Sequence, residues 1–342
     1  MASHKPAGSG PSSPPTLIDV ARVAGVSPIT VSRALGRPEV VADKTRRRVL
    51  DAVRITGYVP NLAAGSLASS RSRLVAIMLP TIANSIFSDT VQALTERLAE
   101  AGYQTLLGLT GYEAEQEEAL LSALLGRRPD GIVLTGTEHT LDSRQRLARV
   151  GIPLVEAWDL CDRPLDMLVG FSHEAVGRAV ADYLLDKGYR RVSVITLDDP
   201  RGIRRSESLA QALAEQGVTA LAVEHLSAPA TLATGREGLS RLLAKHKAGD
   251  VVVCSSDTIA QGVLAEAASR QIAVPSDLAV MGFGDLSSAA HTHPPLSTVR
   301  VDGLRIGRSV AEALLARFAD PSLARTPLRL DTGFEIIERA ST

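Results

Sequence analysis

The side chains of this sequence that could do chemistry are arginines, carboxylates and hydroxyls, without the spacing of catalytic nucleophiles or metal ligands. Ser32, Ser172 and Ser256 do not lie in the GxSxG pattern that exposes a catalytic serine. Cys161 and Cys254 flank no CxxC motif, so neither a disulfide framework nor a structural zinc site is expected. The sequence therefore predicts a protein that recognises its ligands without being an enzyme and without a metal or cofactor.

The elements that must position these side chains follow a repeating pattern from position 74 onward. Short apolar runs alternate with amphipathic stretches of roughly ten to fifteen residues, which is typical of parallel βαβ units. The pattern predicts an α/β body of two doubly wound parallel-sheet lobes. The predicted strands are 74–79, 104–109, 131–136, 154–158, 167–171, 191–197, 221–226, 250–256 and 278–285, followed by a strand 296–302 that returns to the first lobe, a helix 303–318 and an edge strand 334–337.

The carboxyl ends of these strands supply the candidate ligand-binding residues. Ligands in open α/β sheets bind there, and two lobes bring both sets of strand ends to one cleft. Arg205 could offer its planar guanidinium to a carboxylate, and Glu156, Asp159 and Thr135 could accept hydrogen bonds from hydroxyl groups or donate to them. The rule selects 80–89, 135–140, Glu156, Trp158, Asp159 and 171–173 in the first lobe, and Asp198, Arg201, Arg204, Arg205, Ser255, Ser256, Asp257, Gly284 and Asp285 in the second.

The basic residues are concentrated near the N-terminus. The whole chain has 37 Lys and Arg against 38 Asp and Glu, with a net charge of −1. Residues 16–72 hold nine basic and four acidic residues, a net charge of +5. Residues 1–15 carry only Lys5, so residues 73–342 have a net charge of −7. Such segregation indicates a nucleic-acid-binding module joined to an acidic body, because neutralising phosphates needs clustered cations. A solvated basic helix is the alternative.

The basic segment has the layout of a helix-turn-helix. Thr16 and Asp19 form a capping-box pattern at the start of an apolar, helix-periodic run. A glycine then marks the turn, and Ser27 is placed to cap a second helix with Pro28 at its first position. A short helix, a turn and a second short helix are the arrangement that places the second helix in the major groove. The first predicted helix ends at Gly25, the second covers Pro28–Leu35 and the third covers Lys44–Ile55.

Two strings in this segment, TLIDVARVAGVSPITVSRAL and KTRRRVLDAVRITGYVPNLAAGSLA, resemble the head of the lactose/galactose repressor family over about fifty positions. Arg33 could pair bidentately with a guanine, and Ile29 could contact a thymine methyl group, with core packing as the alternative for Ile29. The resemblance implies base contacts by Pro28, Ile29 and Arg33 and phosphate contacts by Thr16, Ser27, Thr30 and Ser32.

Residues 61–71 are small, weakly apolar and interrupted by Gly65. An isolated helix this short is marginal in water, so the sequence predicts disorder until DNA is bound. The family resemblance implies that the segment becomes a hinge helix in the minor groove. Leu67 would then wedge between base steps, with Asn61 and Ala64 beside it. A plain linker is the competing interpretation.

The body resembles the periplasmic sugar-binding-protein fold that the family uses to bind effectors. At three of its positions this sequence departs from the commoner family pattern, with Ser256 in place of Asn, Gly284 in place of an acid and Ser208 in place of Gly. A pocket that loses an acid and keeps arginines suits an anion. The strings TGTEHT, VEAWD and GYQTLLGLTGYEAEQE further resemble the gluconate-repressor branch, which implies a sugar acid. Effector contacts are expected at Ser85, Ile86, Phe87, Thr135, His139, Glu156, Trp158, Asp159, Arg205, Ser256, Asp257, Gly284 and Asp285, although His139 could be structural and Trp158 could be a core residue.

These inferences combine into a cytoplasmic, homodimeric transcriptional repressor that binds palindromic operator DNA under the control of gluconate or 2-ketogluconate. The alternatives are a regulator that responds to a neutral sugar, and a sugar-binding or sugar-processing protein without a DNA target. No apolar run approaches the length of a membrane span, and the first fifteen residues lack the apolar core of a signal peptide. The expected organisation is a disordered tail at 1–15, the DNA-binding domain at 16–59, the hinge at 60–72 and the effector-binding and dimerisation domain at 73–342, with lobe one at about 73–171 and 300–340 and lobe two at about 172–299.

Overall fold

The computed structural model describes two compact units of the chain. Its described residues are 14–59, 71–82, 85–111, 113–219, 221–245, 248–325 and 327–342. The first unit is the head, which ends at Ser72, and the second is the body, which begins at Arg73. Outside the described residues lie positions 1–13 of the predicted tail and positions 60–70 of the predicted hinge, which include Asn61, Ala64 and Leu67.

The head is a bundle of three short helices, α1 (Leu17–Ala24), α2 (Pro28–Gly36) and α3 (Asp43–Thr56). Both predicted caps are confirmed: Thr16 and Asp19 form a reciprocal capping box, and the Ser27 side chain accepts a hydrogen bond from the Thr30 amide. The small apolar side chains of all three helices pack into one core that includes Val20, Val31 and Val49. These helices hold the surface of α2 in a fixed orientation within the head.

The turn between α1 and α2 depends on glycine. Gly25 ends α1 in the left-handed region, at φ +61°. A Cβ atom at this position would lie 2.9 Å from Arg48 Nη2, and that same nitrogen donates a 2.6 Å hydrogen bond to the Ala24 carbonyl. Both the backbone conformation and the space therefore favour glycine, and Arg48 ties α3 to the turn.

The body contains twelve strands in its described part, and its two main sheets are wholly parallel. Lobe one has the order β11-β5-β4-β3-β1-β2, and lobe two has the order β7-β6-β8-β9. Alternate residues of β1 enter different cores: Val75 and Ile77 pack on one face, and Ala76 and Met78 on the other. Burial on both faces explains the continuous apolar runs in the sequence. The strands are β1 (Leu74–Leu79), β2 (Gln104–Leu109), β3 (Gly131–Thr135), β4 (Leu154–Ala157), β5 (Met167–Gly170), β6 (Val192–Leu197), β7 (Leu221–Leu226), β8 (Val251–Cys254), β9 (Ala279–Met281), β10 (Thr298–Arg300), β11 (Leu328–Asp331) and β12 (Glu335–Ile337).

Helices cover the sheets of both lobes. In lobe one α11 packs along α4, and in lobe two α7 packs on α8 and α9 on α10. The helix α8 begins directly after the β6 loop, so its first turns lie at the carboxyl edge of the lobe-two sheet. The body helices are α4 (Ser88–Glu100), α5 (Ala114–Leu125), α6 (Leu141–Val150), α7 (His173–Asp186), α8 (Pro200–Glu215), α9 (Leu232–Ala244), α10 (Asp257–Ser269) and α11 (Gly303–Ala319).

The C-terminal part of the body departs from the sequence prediction. The strand expected to return to lobe one, β10, instead pairs antiparallel with β12, and Met281 of β9 forms a bridge to Ser297. The strand that joins the lobe-one sheet is β11, beside β5. Its burial alternates because it is an edge strand, so it lacks the apolar run that revealed the others. Beyond β11, Ser341 exchanges hydrogen bonds with Val280 of lobe two.

Candidate functional site

The exposed surface of α2 in the head carries the residues expected to contact bases. Pro28, Ile29 and Arg33 are all exposed, and Ile29 is 65% exposed. The core face of the helix is formed by Val31 and Ala34, which are buried. Ile29 is therefore not a core residue, and an exposed β-branched side chain beside an exposed arginine suits an apolar contact next to a guanine contact.

The hydroxyls expected to hold phosphates are mostly engaged in helix capping. The Thr16 hydroxyl donates to Asp19 Oδ2 at 2.6 Å, and the Ser27 and Thr30 hydroxyls lie 2.9 Å apart. Ser32 is exposed on α2. Capping orders the N-termini of α1 and α2, and a helix N-terminus is a place where backbone amides can bind a phosphate.

In the body, a pocket lies at the carboxyl edge of lobe two, against the carboxyl ends of lobe-one strands. This pocket, called here the cleft pocket, encloses about 430 Å³, part of which is open to solvent. The predicted residues that line it are Ile86, Phe87, Trp158, Arg205 and Ser256. The strand-end rule also selected His173, Arg201 and Ser255, which line it as well.

Arg205 is held rigidly in the cleft pocket. Its Nη1 donates to His173 Nδ1 at 2.9 Å, its Nη2 donates to the Ser255 carbonyl at 3.1 Å, and its guanidinium lies 3.9 Å from the centre of the Phe283 ring. Among the described residues no carboxylate comes within ion-pair distance of this guanidinium. Burial, together with the charges of Arg201 and Arg204, lowers the pKa of Arg205 to about 10. The guanidinium therefore stays charged at neutral pH.

His173 is neutral and orients Arg205. Burial and the charges of the nearby arginines, Arg205 first, hold the pKa of His173 well below its usual range. Its Nε2 donates to the Trp158 carbonyl at 3.0 Å, which leaves Nδ1 free to accept from Arg205. This chain of hydrogen bonds joins the end of β4 in lobe one to α8 in lobe two.

A second pocket, called here the side pocket, lies at the carboxyl ends of β1, β2 and β3. It encloses about 950 Å³ including open solvent, and the predicted residues Thr135, His139 and Asp159 line it. Arg201 and Arg204 of α8 form its opposite wall. Arg204 crosses between the lobes to Asp159, which also accepts a 3.0 Å hydrogen bond from the Thr137 hydroxyl.

His139 lies inside a buried charge cluster. Its Nδ1 lies 3.1 Å from the carboxylate of Glu117, and its Nε2 lies 3.5 Å from Glu156 Oε1. Burial lowers the pKa of His139, but the two carboxylates outweigh it and raise that pKa to about 9. The histidine side chain is 1% exposed and Glu156 is fully buried, so the cluster joins α5, the β3 loop and β4. Glu156, which was predicted as an effector contact, lines neither the cleft pocket nor the side pocket.

Two further predicted contacts belong to the framework of lobe two. Asp257 accepts hydrogen bonds from the Thr298 hydroxyl and the Leu286 amide, and burial raises its pKa to about 6. Asp285 forms ion pairs with Arg300 and Arg339. Neither carboxylate lines the cleft pocket. Asp257 is held by Thr298 of β10 and by the backbone of Leu286, and Asp285 is held by Arg300 of β10 and by Arg339.

Three other predicted positions form walls or supports of the cleft. Trp158 is 3% exposed, and its indole donates to the Thr90 hydroxyl, so most of the ring belongs to the lobe-one core. Gly284 has a φ of +125°, and a Cβ atom there would lie 3.1 Å from Ile86 Cδ1. The Thr135 hydroxyl donates to the Met78 carbonyl. For Ser85 the structure describes only the backbone, in a short helical turn.

Sequence reasoning missed three residues near the site. Phe283 supplies the ring under Arg205, Asp199 caps α8 at the edge of the cleft pocket, and Glu117 pairs with His139. The Asp-Pro pair at 199–200 is a readable helix-start signal that could have marked Asp199. Glu117 lies in an acidic run that reads as a solvated helix face, so only the fold reveals its partner.

No described helix is both long enough and apolar enough to cross a membrane. No group of three or more His, Cys, Asp or Glu side chains in the described ranges is arranged to hold a metal ion.

The head and the body each match a described family of known proteins. Residues 16–61 match the family described as bacterial regulatory proteins, lacI family, and residues 181–342 match the periplasmic binding protein-like domain. The chain is 40% identical over 330 residues to the HTH-type transcriptional regulator GntR of Pseudomonas aeruginosa, covering 96% of each chain. This chain belongs to the lacI family. It is 30% identical over 304 residues to the HTH-type transcriptional regulator IdnR of Escherichia coli strain K12, covering 88% of this chain and 91% of the relative.

The same lacI-family architecture is found in a solved structure. A lacI-family transcriptional regulator from Silicibacter pomeroyi superposes with a TM-score of 0.88 at 35% identity, covering 96% of this chain and 99% of that chain. The predictions of the family, of the α/β class with a helix-turn-helix head, and of a regulator that is not an enzyme are confirmed. The protein is a DNA-binding transcriptional repressor of the lacI family.

Proposed function

We propose that this repressor binds palindromic operator DNA as a homodimer, and that a sugar acid, gluconate or 2-ketogluconate, bound between the lobes controls its operator affinity. One helix-turn-helix of this size covers too little DNA for tight specific binding, so two copies related by a two-fold axis would read two half-sites. The resemblance of residues 102–117 to the gluconate-repressor branch supports the class of effector.

In the DNA-binding role, Arg33 reads a guanine and Ile29 contacts a thymine methyl group. The exposure of both side chains on α2, away from the buried Val31, supports these roles. The capped N-termini of α1 and α2 offer amides and hydroxyls to phosphates, which position the head on the duplex.

The observation that carries the effector proposal is the positive charge in the cleft pocket. Arg205 has neutral partners in His173, the Ser255 carbonyl and the Phe283 ring. A buried cation without a close counter-charge is costly, and a carboxylate from a ligand would relieve that cost. The apolar wall formed by Ile86 and Phe87 suits the C–H face of a sugar chain.

The control mechanism follows from the contacts that join the lobes. Arg204 of lobe two reaches Asp159 of lobe one beside both pockets. An effector that binds one arrangement of the lobes more tightly shifts the population toward it. That shift would be transmitted to the hinge and change the spacing of the two heads on the operator.

Isothermal titration calorimetry with gluconate, 2-ketogluconate, 5-ketogluconate, glucose and ribose tests the effector class. We expect micromolar binding of a single sugar acid, followed by a change in operator affinity when that acid is added to the repressor–DNA complex. Binding of a neutral sugar with no response to the acids would identify a neutral-sugar regulator and overturn the sugar-acid proposal.

Replacing Arg33 tests the DNA-reading role. We expect Arg33→Ala to weaken specific operator binding by about 1–3 kcal/mol and to relax the preference at one base pair of each half-site. The measurement is a binding titration with wild-type and base-substituted operators. Arg54→Ala is the matched control, because Arg54 is an exposed arginine on α3 paired with Asp51. Equal losses for both variants on all sequences would show that Arg33 contributes charge without reading a base.

A further inference from the structure

The first turns of α8 bring three arginines to the cleft, and their partners differ. Arg204 is neutralised by Asp159 and also lies within 4 Å of Glu138 and Glu174. Arg205 is fixed by His173, Ser255 and the Phe283 ring. The contacts of Arg201 are weaker, because its Nε lies 3.7 Å from Asp199 Oδ1 and its guanidinium lies 5.4 Å from the centre of the Phe87 ring.

Arg201 has a hydrogen-bond donor that is buried and unpaired among the described residues. Its side chain is 11% exposed, and its Nη1 is screened from solvent with no hydrogen-bond partner among the described residues. Buried guanidinium nitrogens are normally hydrogen bonded, so an unpaired one at a ligand cleft indicates a partner that arrives with the ligand.

The nearest carboxylate does not satisfy Arg201. Asp199 Oδ1 lies 3.7 Å from Arg201 Nε, which is beyond hydrogen-bond distance. That oxygen instead accepts from the backbone amides of Arg201 and Gly202, each at 3.2 Å, as the cap of α8. The charge of Asp199 is therefore shared with the helix N-terminus.

The position of Arg201 suits recognition of a group inside the cleft. It lines both the cleft pocket and the side pocket. Its guanidinium lies 5.4 Å from the centre of the Phe87 ring, which comes from lobe one, so the planar group is held at the boundary between the lobes. A planar, oriented guanidinium matches the geometry of a carboxylate.

We propose that Arg201 pairs directly with the carboxylate of the effector and thereby selects a sugar acid over a neutral sugar, whereas Arg205, which His173 and the Ser255 carbonyl hold in place, adds positive charge to the cleft and contacts another part of the effector. This inference rests on the proposed sugar-acid function and corrects the sequence-based expectation that Arg205 reads the carboxylate. Closing the lobes on an acid would complete the hydrogen bonding of Arg201 Nη1.

Calorimetry with gluconate and gluconamide tests the assignment, because the two ligands differ only in the charge and donors of one terminal group. For the wild-type repressor we expect tighter binding of gluconate. Arg201→Gln should weaken gluconate binding by about 10- to 100-fold and change gluconamide binding by less than about 3-fold, because a charge-assisted pair is lost. Arg201→Lys keeps the charge without the planar fork and should give an intermediate loss.

Arg178→Gln is the matched control, because Arg178 forms an exposed ion pair with Glu215 on the outer side of lobe two. We expect it to keep the wild-type preference for the acid. Circular dichroism and thermal unfolding check that each variant is folded. If Arg201→Gln does not fold, Arg201→Lys replaces it in the comparison.

Two results would overturn the inference in different ways. A preference for gluconate that is as large in Arg201→Gln as in the wild type, or as large in Arg201→Lys where Arg201→Gln does not fold, would exclude Arg201 as the selecting residue and leave the sugar-acid function standing. Failure of the wild-type repressor to bind any sugar acid, with binding of a neutral sugar, would remove the proposed function and this inference together.

Discussion

At the scale of single residues, the buried histidine of lobe one gives the body a pH-dependent stability. His139 lies between Glu117 and Glu156 and has a folded pKa of about 9, against an ordinary value of 6.5. Because the folded pKa is the higher one, protonation stabilises the fold. The stabilisation is complete below about pH 6.5 and is lost as the pH rises through about 9.

We expect the free energy of unfolding of the body to fall by about 1–3 kcal/mol between pH 6.5 and pH 9 because of this histidine. His139→Gln should remove that dependence and lower the stability at pH 6.5. Chemical denaturation at a series of pH values measures the effect, with the exposed His291→Gln as the control. An unchanged pH profile in His139→Gln would show that the cluster does not bind a proton on folding.

At the scale of elements, the turn between α1 and α2 sets how the reading helix is presented. Gly25 combines a φ of +61° with a Cβ position 2.9 Å from Arg48 Nη2. We expect Gly25→Ala to destabilise the head by about 1–2 kcal/mol and to weaken operator binding. Gly36→Ala is the matched control, because a Cβ there meets nothing within 4 Å.

Hydrogen exchange of the α1 and α2 amides in the full chain measures the local stability of the head in both variants. Faster exchange in Gly25→Ala than in Gly36→Ala is the expected result. Equal protection would mean that the turn tolerates a side chain.

In the body, an ion pair between α8 and the end of β4 joins the two lobes. Arg204 pairs with the fully buried Asp159, which also accepts from the Thr137 hydroxyl and the Leu160 amide. We expect Asp159→Asn to favour a more open body and to lower effector affinity by about 10-fold, because one lobe-to-lobe ion pair is lost. Small-angle scattering and calorimetry measure the two effects.

Glu138→Gln is the control for this pair. Glu138 lies 3.6 Å from the same guanidinium but is 57% exposed, and exposed ion pairs contribute little. A loss of effector affinity in Glu138→Gln as large as in Asp159→Asn would show that net charge, rather than the lobe-to-lobe contact, controls the cleft.

At the scale of the whole molecule, operator and effector binding must be linked. If the effector weakens operator binding by a given factor, the operator must weaken effector binding by the same factor at equilibrium. Titrating the effector into the free repressor and into the repressor–operator complex measures both factors. Equal effector affinity in the two titrations, despite a change in operator affinity, would point to an effect of the ligand on the DNA or on assembly.

Local patterns in the sequence were sufficient for much of this protein. The capping box of Thr16, the Ser27 cap and the apolar runs of the β strands were predictable because each depends on neighbours a few residues away. The strand-end rule also selected Arg201, Arg205 and the β3 loop as parts of a cleft, since all parallel strands end at one edge.

Only the tertiary structure decided which of those charged residues have partners. Asp257 and Asp285 read as ligand contacts, yet Thr298, Arg300 and Arg339 from the last part of the chain fill their acceptor sites. Only the tertiary structure revealed the pairing of β11 as well. The burial of this edge strand alternates, and its partner β5 lies far away in the sequence. Local periodicity determined the fold class and the sheet edge where the cleft lies, and the resemblance of the N-terminal strings indicated the family. The availability of each arginine and carboxylate, by contrast, depends on long-range packing that no local pattern records.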